Sequence, residues 1–520
     1  LLAKEAGDKG EHDPEPSVTE RLIEIATSET ELFHAPDRRA FADLRIEGHR
    51  ETWLLRSQGF TTWLAGRLWA LHRIAAGSEA IGSALLVLAA KALAEGEERP
   101  VFVRVGRFEG AVYLDLGNKA WSAVEITAGG WRVVAEPPVR FRRAAGMLPL
   151  PLPVSGGSLR PLRRFLNLRA GREFRLVVAW LLAALYGQGP MPVLVLTGEQ
   201  GSAKSTVMRL LRRLVDPNTC PLRSIPREEH DFFIAATNGW TICLDNLSGL
   251  PAWLSDALCK LATGGGFAVR QLYTDGDEVL FDALRPAILN GISDVVSRPD
   301  LADRAITLTL RPIQEEARKT EEEVLAAFDA ACPAILGALL DGVAAGLREL
   351  PTTRLERSPR MADFARFAAA CERGLGWREG SFMKAHEGMR AELVADVLDG
   401  YAVAVAVHAL IEAEEEFSGT VKALLERLGC KASELDRKAK SWPANAKALS
   451  GRLRRLAPFL RREGLEVRFT GHGRDGNGIS LARRTPRVRE ERSQRSHVHA
   501  DPEKPSNGAG FGHGEPVNVP

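Results

Sequence analysis

Cysteine is scarce and scattered in this sequence. Its 520 residues hold six, at Cys220, Cys243, Cys259, Cys332, Cys371 and Cys430. No two make a C-x-x-C pair and no Cys/His cluster has zinc spacing, so a zinc ribbon or finger is excluded. Such single thiols fit small core residues in a reducing compartment. Long apolar runs are lacking too. Ala84 to Ala90 and Leu176 to Tyr186 fall short of the about 20 residues that a membrane helix needs. No secretory signal stands at the start, so a cytoplasmic protein with no membrane partner is expected. The chain opens Leu-Leu without an initiator Met, so residues are expected upstream. Charge of one sign is also in short supply: the formal net charge is +2. Any nucleic-acid surface must therefore be local. What is there is ordinary globular material, 45% hydrophobic and 26% charged. At ~100–200 residues per domain the length allows about three or four domains, and no internal repeat is visible.

Along the chain, residues 1–16 form a polar tail, and Ser17 with Glu20 makes a capping box for a helix to about Thr27. Two short strands, Phe41 to Ile46 and Thr52 to Leu55, precede amphipathic helices at Thr61 to Ile74 and Ala80 to Ala94. Val101 to Val134 alternates as a β meander. The expected organisation is an α+β module at 17–148, a Pro/Gly-rich linker at 149–158 and an α/β core with two leading helices at 159–312. A helical region at 313–415, a small domain at 416–484 and a disordered tail at 485–520 follow.

The strongest local signal is P-V-L-V-L-T-G-E-Q-G-S-A-K-S-T-V-M-R-L-L. A buried strand, Val193 to Leu196, runs into a loop of Gly198, Glu199, Gln200, Gly201, Ser202, Ala203, Lys204, Ser205 and Thr206 that opens a helix near Lys204. Glycines let backbone amides turn toward phosphate oxygens, and the helix N-terminus favours negative charge. Lys204 is expected on the β- and γ-phosphates of ATP, and the Ser205 hydroxyl on magnesium. Ala203 stands where such loops usually carry Gly, as the smallest replacement. The second signal, W-T-I-C-L-D-N-L-S, is an apolar strand ending in Asp245, a second magnesium residue; the bland alternative is a turn Asp. The third, R-P-A-I-L-N-G-I, ends in Asn290, which an Asn-Gly turn would also explain.

Two further segments suggest DNA. F-A-V-R-Q-L-Y and E-V-L-F alternate across T-D-G-D as a hairpin, with Arg270 and Tyr273 as candidate phosphate and base contacts. From Trp442 to Arg484, Asn445 caps a helix with Leu449, Leu453, Leu456 and Leu460 on one side. Lys447, Arg452, Arg454, Arg455, Arg461 and Arg462 populate the rest, and Pro458 is expected to kink or divide it. A hairpin follows, giving the winged-helix order of helix then wing. A solvated basic helix or a protein-docking domain is the alternative.

These motifs, with W-L-S-D-A-L-C-K-L-A-T-G-G-G and D-L-A-D-R, resemble the P-loop ATPases of phages and integrated mobile elements that group with superfamily 3 and AAA+ primase-helicases. The resemblance implies a multidomain α/β chain: an AAA+-like P-loop ATPase core, an N-terminal α+β module, a helical region and a C-terminal winged-helix-like domain. It further implies a DNA-dependent ATPase, a helicase or loader of element replication. Its partners would be single-stranded or forked DNA, a homo-oligomeric, hexameric ring, and a primase, upstream or separate. In such cores the strand-terminal Asn senses the γ-phosphate, and a neighbouring subunit supplies an arginine finger, here Arg304 with Arg298 as competitor. The hairpin would enter the central channel. Asn246 departs from the pattern, standing where the catalytic Glu is usual. An amide orients water but takes no proton. Either hydrolysis is slow or Asp256, Asp275, Asp277 or Glu278 substitutes. A second function is therefore an ATP-controlled DNA-binding switch or assembly protein with little hydrolysis. A small-molecule kinase is a weaker third.

Overall fold

The computed structural model describes residues 15–270, 278–282, 284–291, 296, 298–399, 402–438, 442–473 and 476–483. The chain divides into two compact units, Leu1–Gly400 and Tyr401–Pro520.

The first unit opens with α1 (Val18–Glu29). The Ser17 hydroxyl accepts the Glu20 amide at 3.2 Å and the Glu20 carboxylate accepts the Ser17 amide at 2.7 Å, the expected reciprocal cap. Strands β1 (Thr30–His34), β2 (Ala40–Ile46) and β3 (His49–Leu54) pair antiparallel in that order. Helices α2 (Gln58–His72) and α3 (Ser78–Ala94) share a core with α1 and the sheet, in which Leu22, Phe60, Leu64, Leu68 and Leu88 are fully buried. From sequence only two strands are expected here. T-E-L-F-H becomes a third because Phe33 lies opposite Phe41 and stacks on it. Strand β4 (Val101–Phe102) pairs in parallel with β9 (Arg140–Phe141). Between them β5 (Val105–Phe108), β6 (Ala111–Asp115), β7 (Ala123–Thr127) and β8 (Gly130–Val134) form the expected meander.

Helices α4 (Arg160–Phe165) and α5 (Gly171–Tyr186) follow, and α5 is buried from Leu176 to Tyr186. Then come β10 (Val193–Thr197), α6 (Lys204–Val215), α7 (Glu229–Asn238), β11 (Ile242–Leu247) and α8 (Ala252–Thr263). After them stand β12 (Gly266–Arg270), β13 (Glu278–Asp282), β14 (Ala287–Gly291), α9 (Pro299–Ala302) and β15 (Ala305–Thr309). Four of these strands form a parallel sheet in the order β11-β14-β10-β15. Parallel sheets are covered on both faces, which is why these strands read as unbroken apolar runs. Their C-terminal ends share one edge, where open α/β sheets take ligands. Strands β12 and β13 form the expected hairpin, with Arg270 opposite Glu278; Tyr273 lies outside the described residues.

Helices α10 (Glu321–Glu349), α11 (Ala362–Cys371) and α12 (Ser381–Asp399) complete the unit. By length and composition α10 could cross a membrane, a run longer than either picked out from sequence. Its Phe328, Ile335, Leu336, Leu339, Leu340 and Val343 are buried inside the unit, as in a core helix. The expected linker is not loose. The Val154 amide donates to the Pro333 carbonyl at 3.0 Å, and a Cβ on Gly337 would fall 1.8 Å from the Val154 oxygen. A buried ion pair ties the meander to the parallel-sheet region. Arg104 donates to Asp216 at 3.2 Å and to the carbonyls of Asp115 and Leu148 at 3.1 and 2.8 Å. Asp216, just after α6, also accepts the amides of Trp240 and Thr241.

The second unit holds α13 (Ala402–Glu414), β16 (Glu416–Thr420), α14 (Val421–Lys431), α15 (Glu434–Lys438), α16 (Ala446–Arg462), β17 (Leu465–Gly473) and β18 (Gly476–Arg483). The sheet order is β16-β18-β17, antiparallel. The hairpin is as expected, whereas β16 is an addition, and α13 belongs here rather than with the preceding helices because it packs on α14. Asn445 caps α16, accepting the Ala448 amide at 2.9 Å, and Leu449, Leu453, Leu456 and Leu460 are buried. The expected break at Pro458 is corrected: α16 runs through it to Arg462. The leucine stripe packed on β17 holds the helix despite the missing amide.

Candidate functional site

The C-terminal edge of the parallel sheet gathers the residues singled out in sequence. β10 ends at Thr197 and the chain turns at Gly198, where φ is +145° and a Cβ would fall 2.7 Å from the Leu310 oxygen. Only glycine fits there. Ser202 is buried, its hydroxyl donating to the Glu199 carbonyl at 2.8 Å. Ala203 sits at φ +61°, in the left-handed region. It fits sterically, as expected, but in a conformation that costs a residue with a Cβ about 1 kcal/mol. Lys204 opens α6 and folds back over the loop, its ammonium donating to the carbonyls of Gly198 and Glu199, each at 2.8 Å. Burial holds that ammonium below the ordinary lysine value, with the Asp245 charge opposing. Glu199, Gln200 and Gly201 are exposed, and Thr206 follows half-buried on α6.

Behind the loop three predicted residues meet. Ser205 donates to the Asp245 carboxylate at 2.8 Å. The Asn290 amide nitrogen donates to that same carboxylate oxygen and lies 3.3 Å from the Ser205 hydroxyl. The Asn290 carbonyl accepts the Asn246 backbone amide at 2.7 Å. Asn290 is 1% exposed, and its amide orients Asp245, Ser205 and the Asn246 backbone. The side chain of Asn246 is exposed, and its backbone has φ +56° at an irregularity between Leu244 and Leu247. Asn tolerates that conformation better than Glu.

Other candidates lie elsewhere. The Arg304 carbonyl accepts the Val193 amide at the start of β10, a strand of five residues. Arg304 is therefore about 13 Å along the strand from the loop, at the opposite sheet edge. Its guanidinium is held by the Asp300 carbonyl at 2.9 Å. Arg298 pairs with Asp256 at 2.9 Å, so that carboxylate is committed on α8. Asp275 and Asp277 fall outside the described residues, and Glu278 begins β13. In the second unit Lys447, Arg454 and Arg461, at seven-residue spacing, lie on one exposed side of α16, and the latter two are engaged within the unit. Lys447 is exposed, Arg454 covers the Phe469 ring at 4.5 Å, and Arg461 donates to the Val467 carbonyl at 2.7 Å. Arg452 is half-buried, and the Arg455 side chain is outside the described set.

Several loop partners carry no local signal in the sequence. Asn167 donates to the Ser202 carbonyl at 3.5 Å and to the Arg311 carbonyl. The Ile313 amide donates to the Gly201 carbonyl at 3.1 Å, and the Arg318 guanidinium would lie 3.4 Å from a Cβ on Gly201. They come from segments before β10 and after β15, brought together only by the fold. Chemically, the site offers a loop of inward-facing backbone, one ammonium, and adjacent hydroxyl and carboxylate oxygens.

Residues 159–393 match the family described as actinomycete integrative conjugative element replication protein. Residues 403–497 match the one described as the AICE RepA C-terminal domain. No curated protein matches. Among solved structures, the NrS-1 C-terminal region is 11% identical, with 89% of this chain and 98% of that one covered and a TM-score of 0.40. The JCV helicase is 17% identical, with 43% of this chain and 66% of that one covered and a TM-score of 0.22. The two family matches follow one another along the chain and reach both of its units: the chain is a replication protein of a mobile element, similar to those of actinomycete integrative conjugative elements.

Proposed function

We propose that this replication protein binds ATP with magnesium in the loop from Gly198 to Thr206 and works as a DNA-dependent ATPase, a helicase or loader. The observation that carries this reading is the cluster of Ser205, Asp245 and Asn290 behind Lys204. The Ser205 hydroxyl and Asp245 carboxylate form a hard oxygen pair that suits magnesium. The metal would neutralise phosphate charge; Lys204 would bind the phosphates, and Asn290 would hold Asp245 and respond to the terminal phosphate. In this AAA+-like reading Arg304, on the far sheet edge, serves a neighbouring subunit of a ring, with Arg298 as competitor. The β12–β13 hairpin, with Arg270 and Tyr273, faces single-stranded or forked DNA. The second unit, with helices between its first strand and its hairpin, is winged-helix-like, and Lys447 and Arg454 on α16 are its DNA contacts. A primase acts upstream or separately.

ATP turnover measured with and without single- and double-stranded DNA tests this, together with native mass in ATP. DNA is expected to stimulate turnover, ATP to raise the mass, and Lys204→Ala to abolish turnover. No turnover with any DNA would sink the motor reading. Asn246 favours a second reading, an ATP-controlled switch with little hydrolysis. Rapid multiple turnover with strand separation excludes that alternative.

A further inference from the structure

The first unit carries a second concave surface. A cleft of about 820 Å³ opens between the first turns of α5 and the first half of α12. Four cations line it: Arg172 and Arg175 from α5, Arg378 just before α12, and Lys384 on it. Arg172 is neutralised by Glu392. The other three have no carboxylate within ion-pair distance among the described residues, although Glu379 and Glu387 lie on the same rim. Elsewhere in the unit many arginines are ion-paired, as in Arg209 with Glu321, Arg213 with Asp329 and Arg390 with Asp303. With Arg172 paired, Arg175, Arg378 and Lys384 outnumber the rim carboxylates Glu379 and Glu387 by one, and Arg175 also faces Glu372, so the hollow keeps a small positive potential.

The floor is shaped for close approach. Ser381, Ala385 and Gly388 recur at three- and four-residue spacing on one face of α12, so no long side chain fills the cleft. Beside it the Arg175 guanidinium lies 5.9 Å from the centre of the half-buried Trp377 ring. A second, smaller cavity of about 220 Å³ lies beside the cleft. Arg172 lines it too, along Thr307 to Thr309 of β15. The Thr309 hydroxyl is 3.1 Å from that of Thr197, next to Gly198.

We propose that this cleft holds the phosphodiester backbone of a single nucleic-acid strand, with Arg175, Arg378 and Lys384 binding its phosphates. The cations sit on a helix, a loop and a second helix around a hollow much larger than one phosphate. Separated positive heads suit a repeating anion better than a single one. A cation beside an aromatic ring is the pairing that single-strand sites use. The inference rests on the reading of this chain as a DNA-binding protein.

Hydrogen exchange on the full chain tests it, read on peptides spanning residues 376–390 with and without an oligothymidylate. Protection of these peptides is expected. In the chain carrying both Arg378→Glu and Lys384→Glu, protection there should vanish. The slope of log affinity against log salt should fall by about 0.7 for each phosphate that the variant no longer neutralises. Both side chains are exposed, so unfolding temperature and binding of a labelled nucleotide should be unchanged. Oligonucleotide binding that leaves the peptides unprotected, or that the double variant does not weaken, overturns the site. Equal protection by inorganic phosphate alone makes it a free-anion site and overturns the strand. No oligonucleotide binding anywhere overturns the DNA reading itself.

Discussion

Ala203 shows how one methyl group shapes the loop. With φ at +61°, Ala203→Gly should unfold at equal or higher urea concentration. Ala203→Val puts a β-branched side chain in the same region and should lose about 2 kcal/mol. Denaturant titration of the three chains checks the order. His386 carries a pH signature. Burial, aided by the Arg390 charge, pushes its pKa down to about 4. The unfolded ring titrates near 6.5, so between those values the unfolded chain binds the extra proton. Stability should therefore be full above about pH 6.5 and fall as pH drops toward 4. His386→Gln should flatten that part of the profile in thermal scans at fixed salt. At this scale the sequence was informative where chemistry is local. Strand, loop and helix are contiguous from Val193 to Val215, so Lys204 and Ser205 were legible. Asp245 and Asn290 each end an apolar run. Asn167, Ile313 and Arg318 were not legible, because nothing near them in sequence refers to Ser202 or Gly201.

At the scale of elements, periodicity found the helices and the buried strands, since burial on one face or both leaves a pattern. It missed β1 and β16, whose T-E-L-F-H and E-F-S-G-T lack sustained alternation and become strands through their neighbours' hydrogen bonds. It also misjudged Pro458, which lies inside α16, where tertiary packing outweighs the local cost. Composition suggested a Pro/Gly-rich linker at 149–158, and the stretch lies in backbone contact with α10. Gly337→Ala would drive a methyl group into the Val154 carbonyl. It should cost about 1–3 kcal/mol, with the segment forced off the helix. Thermal unfolding gives the loss, and faster proteolysis near Val154 would place it.

Across the whole molecule, Arg104 and Asp216 join regions that look separable in sequence. Arg104→Ala removes one of the two buried guanidiniums that face Asp216, leaving Arg212 at 3.7 Å, and should destabilise the first unit by about 1–3 kcal/mol. One cooperative transition, shifted as a whole in urea, is the expected outcome. A separate early transition for residues 17–148 would show instead that the module melts alone. The pair also bears on how such proteins diversify. A gene exchange that replaces the N-terminal module but keeps the parallel-sheet region brings together surfaces with no shared history. If the incoming partner lacks a matching cation at this point, Asp216 keeps only the longer pair with Arg212, at 3.7 Å. The Pro/Gly-rich stretch at 149–158, which looks like a natural crossover point, is therefore a poor one. Lineages are expected to inherit the two regions as a linked pair.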